Sequence, residues 1–212
     1  MIETMPAGAA VKYQGTSSRF GRELAYLLAG LPVGVAAFVV AVTGFSLGLG
    51  GLVAVFGVPV LAGTLAAARG FARGERARVA AVSGRALPEP SYREPRGTGL
   101  GRMWRALGDP QAWRDWTHMV VALPVRLITF SLAVAWTVGG LGELCYGLWS
   151  WSLPRDGGEE GLLDLAFGID STAADIAFNT GVGVLLLATA VPMVRGLAAL
   201  QAGMARALLV RA

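Results

Sequence analysis

From Leu24 to Ala68 the chain runs for 45 residues without a charged side chain, and about 20 apolar residues in a helix suffice to cross the hydrocarbon core of a bilayer. In lipid every backbone N–H and C=O must be paired within the protein, which leaves helices or a closed barrel. A run of this length fits two helices and a turn. Gly44, Gly48, Gly50 and Gly51 mark the turn near its middle, since glycine interrupts a helical pattern readily. The expected hairpin is 24–45 and 52–68. A third apolar segment, 117–142, carries Arg126 as its one formal charge, and 176–194 is again uncharged. The sequence therefore predicts an all-α membrane protein with four transmembrane helices.

Composition agrees with that reading. The chain is 54% hydrophobic and 15% charged, against about 25% charged for soluble domains, with a mean hydropathy of +0.57. A soluble enzyme of this size would need a charged shell that is missing here. One cysteine, Cys145, excludes an intrachain disulfide framework and a cysteine-rich metal site. One histidine, His118, leaves little for acid–base or zinc chemistry. No catalytic residue, cofactor site or metal site is expected, and the chain is not expected to be an enzyme.

Arginine sets the expected orientation, because cytoplasmic loops are enriched in basic residues. The segment 69–116 holds ten Arg and five acids, the N-terminal segment holds Lys12, Arg19 and Arg22, and the tail holds Arg195, Arg206 and Arg211. Segments 1–23, 69–116 and 195–212 are expected in the cytoplasm, placing both termini there. The segment 151–175 has one Arg and six acids and is expected outside. Trp113 and Trp116 precede the third span and Trp149 and Trp151 follow it, where aromatic belts lie. Positions 1–19 contain no apolar stretch, so the first span is expected to serve as an uncleaved anchor of a multi-pass cell-membrane protein.

The two hairpins resemble each other. Arg22, Leu31-Pro32, Phe38, Ala41-Val42 and Gly48-Leu49-Gly50 recur 92 positions later as Arg114, Leu123-Pro124, Phe130, Ala133-Val134 and Gly140-Leu141-Gly142. Gly57, Arg69-Gly70 and Ala72 recur 126 positions later as Gly183, Arg195-Gly196 and Ala198. The expected architecture is two parallel-repeat helical hairpins. The 34-residue difference between the offsets falls in the second outer connection.

That outer connection supplies candidate signal-sensing residues, Asp156, Glu159, Glu160 and Asp164. Leu162, Leu165, Ala166 and Ile169 have the spacing of a short amphipathic helix. Thr172 with Asp175 reads as a capping box for the fourth span. On the inner side, Arg69 to Ser83 is expected to prolong the second helix, with Gly84 closing it. Leu100, Met103, Trp104 and Leu107 share a face of another amphipathic helix whose remaining positions include Arg102 and Arg105. Arg102, Trp104, Arg105, Trp113 and Trp116 are the candidate lipid or partner contacts. Asp109-Pro110 suits a helix start.

Arg126 and Glu143 are the candidate intramembrane polar residues. Arg126 is expected to snorkel from near the inner end, and His118 to be structural. Gly30 with Gly34, and Gly44 with Gly48, have small-residue spacing for close helix contact. Gly97-Thr98-Gly99-Leu100-Gly101 has the look of a nucleotide-lid glycine box, yet the loop has no room for an ATP-binding fold.

The elements Leu-Pro, Phe-Val-Val-Ala-Val, Gly-Leu-Gly, Gly-Val-Pro-Val-Leu, Ala-Ala-Arg-Gly and Gly-Glu-Arg between Tyr26 and Arg78, continued by Gly108-Asp109-Pro110, Trp113-Arg114-Asp115, Leu123-Pro124 and Val194-Arg195-Gly196-Leu197-Ala198, resemble the "putative sensor" membrane domain of actinobacterial two-component histidine kinases. The resemblance implies a non-catalytic sensory module whose last helix leads toward a kinase. A kinase core would begin after Ala212, so a stand-alone module is expected. It would relay an envelope or bilayer signal to a separate histidine kinase or transcriptional regulator. Membrane lipids are expected partners, nucleic acid is not, and a homodimer fits the pattern. The competing readings are a small transporter or channel subunit and a structural partner of another membrane protein.

Overall fold

The structure is a computed structural model, and it describes residues 16–54, 56–93, 98–152, 168 and 171–210. The described residues are mostly helical and contain no strand. In order they form α1 (Thr16–Gly50), a 3-10 turn (Gly51–Ala54), α2 (Gly57–Ser83), α3 (Gly99–Leu107) and α4 (Pro110–Val134). A π-helical turn (Ala135–Gly139) follows, then α5 (Gly140–Leu144), α6 (Tyr146–Trp149), a 3-10 turn (Ser150–Ser152) and α7 (Thr172–Leu209). Three stretches are long and apolar enough to cross a membrane, Arg19–Ala54, Pro110–Leu144 and Thr172–Leu209. On length and composition this is a membrane protein. The span expected at 52–68 is shorter than the others: within α2 the charge-free part is Gly57 to Ala68, 12 residues. At about 1.5 Å per residue that covers roughly 18 Å of a core about 30 Å thick.

The helices fall into two compact units. The first comprises Met1–Phe130 and Leu197–Ala212. In it α1 and α2 lie antiparallel, and glycines set how closely they approach. A Cβ at Gly48 would run into Leu61, one at Gly44 into Thr64, and one at Gly57 would strike the carbonyl oxygen of Gly48. The last is a backbone atom and has nowhere to go. Beyond the apolar stretch α2 continues to Ser83 and stops at Gly84, which takes the left-handed conformation (φ +67°) and donates its N–H to Ala80 O at 2.9 Å, as the sequence predicts.

α3 is the expected amphipathic helix, with Leu100, Met103 and Trp104 exposed. Gly99, φ +61°, opens it, so the glycine box is the start of a helix. Asp109 caps α4, its Oδ1 accepting from Gln111 N at 3.1 Å, one residue after the first-turn proline Pro110.

α4 passes α1 in the reverse sense. Trp116 donates its indole N–H to Ala41 O at 3.2 Å and its ring lies 4.9 Å from that of Phe45. Met119 packs in a core with Ala37, Ala41 and Ala68. Further along, Arg126 crosses Gly34. Residue numbers thus rise along α4 as they fall along α1, whereas parallel repeats place both helices in the same sense. Phe45, Trp113 and Trp116 clasp one end of the contact, and at the other Arg126 of α4 lies against Gly34 of α1.

The second unit is Ser131–Gly196. A Cβ at Gly140 would lie 3.1–3.2 Å from Leu186 and Leu187, and one at Gly183 would strike the backbone of Leu144. Trp136 donates to Thr189 Oγ1 at 3.1 Å, and Tyr146 donates its hydroxyl to Asp175 Oδ2 at 2.9 Å. At the start of α7 it is Ser171 Oγ that accepts from Ala174 N, at 3.4 Å. The offsets of 92 and 126 carry the pair Gly48–Leu61 onto Gly140–Leu187, and Leu52–Gly57 onto Leu144–Gly183, and all four pairs are close contacts.

Candidate functional site

The first unit buries an unusual number of charged and polar side chains: Glu23, Glu75, Arg76, Asp109, Asp115, His118, Arg126 and Gln201 are all below 9% exposed. At their centre Arg126 Nη2 lies 2.6 Å from Glu75 Oε2, with both side chains under 5% exposed. Arg126 does not snorkel as expected. It finds a carboxylate inside the protein, which spares it the long reach to the headgroups. Arg78 Nη1 approaches the same oxygen at 2.9 Å, and the Tyr26 hydroxyl donates to Glu75 Oε1 at 2.7 Å. One carboxylate thereby ties α1, α2 and α4 together.

Local sequence makes room for this cluster. Glu75 and Arg78 are three residues apart on α2 and so share a face. Arg78 also stacks over the Tyr26 ring at 4.9 Å and donates to Tyr26 O at 2.8 Å. Gly30 leaves the opening, since a Cβ there would sit 3.3 Å from Gln201 Oε1 and 3.7 Å from Arg78 Nη2. Gly34 clears the path of Arg126, whose Cδ would be 2.8 Å from a Cβ at that position. The Gly30–Gly34 spacing is thus clearance for two guanidinium side chains and an amide. Gln201 on α7 donates to Thr129 Oγ1. The ring nitrogen Nε2 of His118, buried beside the cluster, has no partner among the described residues.

Electrostatics favour the ionised carboxylate. Burial by itself pushes the Glu75 carboxyl up, but Arg126, Arg78 and the Tyr26 hydroxyl outweigh it and hold it below its ordinary value of 4.5. Such a pair contributes less net stability than its geometry suggests, because both ions leave water, but losing one partner strands the other.

A second set of contacts fixes the segment after α2. The Tyr92 hydroxyl donates to Asp115 Oδ2 at 2.7 Å and accepts from Arg76 Nη2 at 3.2 Å, while Gln111 Nε2 reaches Asp115 Oδ1 at 2.9 Å. Arg69 pairs with Asp109 at 2.8 Å and lies over the Tyr92 ring at 4.8 Å. Burial, then the bond to Asp115, holds the Tyr92 phenol above its ordinary value.

The residues singled out from sequence are placed as follows. Asp156, Glu159, Glu160 and Asp164, with Leu162 to Ala166 and Ile169, lie outside the described residues. Glu143 is half-buried in α5, its Oε2 unpartnered among the described residues. Arg102, Trp104 and Arg105 are exposed on α3. Trp113 and Trp116 pack on Phe45 and spend their indole N–H groups on Leu107 O and Ala41 O. Trp149 and Trp151 are exposed. Glu75, Tyr26 and Gln201 were not singled out; Glu75 reads in sequence as one acid in a basic loop. Among the described residues no group of three or more His, Cys, Asp or Glu could hold a metal ion.

No curated protein and no solved structure matches the chain. The model of the family described as "Putative sensor" matches residues 26–209, most of the chain, and the chain belongs to that family.

Proposed function

We propose that this chain is a non-catalytic sensory module of the cell membrane that relays an envelope or bilayer signal to a histidine kinase or transcriptional regulator. Its membership of the sensor family across residues 26–209 carries the reading, with the three membrane-long helices beside it. In this reading the Glu75–Arg126 pair is the two-state element. A stimulus must bind two helix arrangements with different affinity to shift them, and a paired or unpaired buried guanidinium separates two such arrangements by a large energy. Comparing the transcriptional response to osmotic upshift and to a cationic peptide tests the proposal, in cells with the chain, without it, and with Arg126→Gln. The expected result is a response that needs the chain and is fixed in one state by the variant; an identical response in all three strains overturns the reading.

Arginine distribution supports four crossings with both termini in the cytoplasm, and the repeated Gly–Leu contacts support a duplicated hairpin. A second topology is favoured by two observations, the 12-residue apolar part of α2 and the reversed passage of α4 along α1. In it the three membrane-long stretches cross, α2 does not count as a crossing, and the termini lie on opposite faces.

A further inference from the structure

Between α2 and the irregular segment 84–93 lies a cleft of about 640 Å³. Arg69, Arg73 and Arg76 line one wall, and Leu87, Glu89 and Tyr92 are on the other. The spacing i, i+4, i+7 brings the three guanidinium side chains to one face of the helix. Two of them are held in place: Arg69 by Asp109 at 2.8 Å and the Tyr92 ring, Arg76 by the Tyr92 hydroxyl at 3.2 Å. Their hydrogen-bonding capacity is not used up. Arg76 is 7% exposed, yet its Nη1 is buried without a partner among the described residues, and so is Arg69 Nε. Arg73 stands between them, exposed and without an ion pair among the described residues.

A buried guanidinium N–H with no acceptor is unfavourable, and an arginine fork matches the oxygens of a phosphate bidentately. Three guanidinium groups face one lining carboxylate, Glu89. The cleft also sits at a defined depth, because Arg69 follows directly on the apolar run that ends at Ala68, where lipid headgroups meet a helix. We propose that this cleft binds a phosphate group, with Arg73 and Arg76 as its donors and Arg69 as a fixed positive wall. The phosphate is carried by an anionic phospholipid headgroup or arrives as free inorganic phosphate. The inference goes beyond the sensory role and stands whether or not that role is correct.

Calorimetric titration of the detergent-solubilised full chain with dihexanoyl phosphatidylglycerol, dihexanoyl phosphatidylcholine and inorganic phosphate tests it. The expected result is saturable binding of phosphatidylglycerol or of phosphate in preference to phosphatidylcholine. Binding by phosphatidylglycerol alone identifies a lipid site, and binding by inorganic phosphate identifies a site for the free anion. Arg73→Gln should weaken the bound species about tenfold, the size of one charge-assisted interaction. Glu89→Gln should tighten it several-fold, a gain that a folding defect cannot produce, while Arg206→Gln, at an exposed position near the end of α7, should leave it unchanged. Absence of saturable binding by either anion, or equal weakening by Arg206→Gln and Arg73→Gln, overturns the proposal.

Discussion

Glu75 and Arg126, 51 positions apart in the chain, meet at 2.6 Å with neither side chain more than 4% exposed. Removing one of two buried partners leaves an unpaired charge, at about 3–5 kcal/mol. Arg126→Leu should therefore destabilise strongly in detergent denaturation, and Glu75→Leu with Arg126→Leu should recover much of that loss. A double variant as unstable as the sum of the two singles would show that the pair is not coupled.

The same carboxylate makes stability depend on pH in a defined sense. Its folded value is depressed below the ordinary 4.5, so its contribution is present above that value and is lost as pH falls through the folded one. The gap in unfolding temperature between the wild-type chain and Glu75→Gln should be full at neutral pH and shrink on acidification below about pH 4.5. A gap that is constant across that range would contradict the shift.

Gly34 and Gly70 should respond oppositely to alanine. At Gly34 the new Cβ would sit 2.8 Å from Arg126 Cδ, whereas at Gly70 nothing lies within 4 Å. Gly34→Ala is expected to destabilise by about 1–3 kcal/mol, and the loss should vanish in an Arg126→Ala background. Gly70→Ala, inside α2, should stabilise by roughly 0.5–1 kcal/mol. Thermal unfolding of the four variants settles it.

Reporter fusions separate the two topologies. With four crossings a cytoplasm-active reporter works after positions 90 and 212 and fails after 160. With three crossings and the N-terminus in the cytoplasm all three outcomes reverse.

Replacing Asp156, Glu159, Glu160 and Asp164 by their amides removes four negative charges at nearly constant volume. If this segment senses cations or basic peptides, the response should weaken, and more so at low salt. An unaltered dose response excludes a charge-based stimulus and leaves a bilayer one.

The long apolar runs made the helices legible, because burying that much charge-free chain allows few other folds. Glu75 was harder to see. α2 leaves its apolar stretch at Ala68, and nothing in a run of ten arginines marks which acid turns inward rather than toward water. Yet a signal was present in the repeat. The offset of 92 carries Tyr26 onto His118, and that of 126 carries Glu75 onto Gln201. Polar residues that recur at matching places in an otherwise apolar pattern are those with a partner to find. The reversed passage of α4 was not legible, since arginine counts describe the ends of helices and not which helices touch.

The π-helical turn Ala135–Gly139 accommodates a surplus residue, since its hydrogen bonds skip one position more than those of an α-helix. Losing a single residue there would let the helix close as ordinary α. The residues beyond it would then keep nearly their present facing, because the bulge already absorbs the extra position, and Gly140 would still meet Leu187. Chain length at this spot is therefore slack: losing one residue here should be tolerated, whereas losing one in the regular helix on either side slips the phase by about 100°.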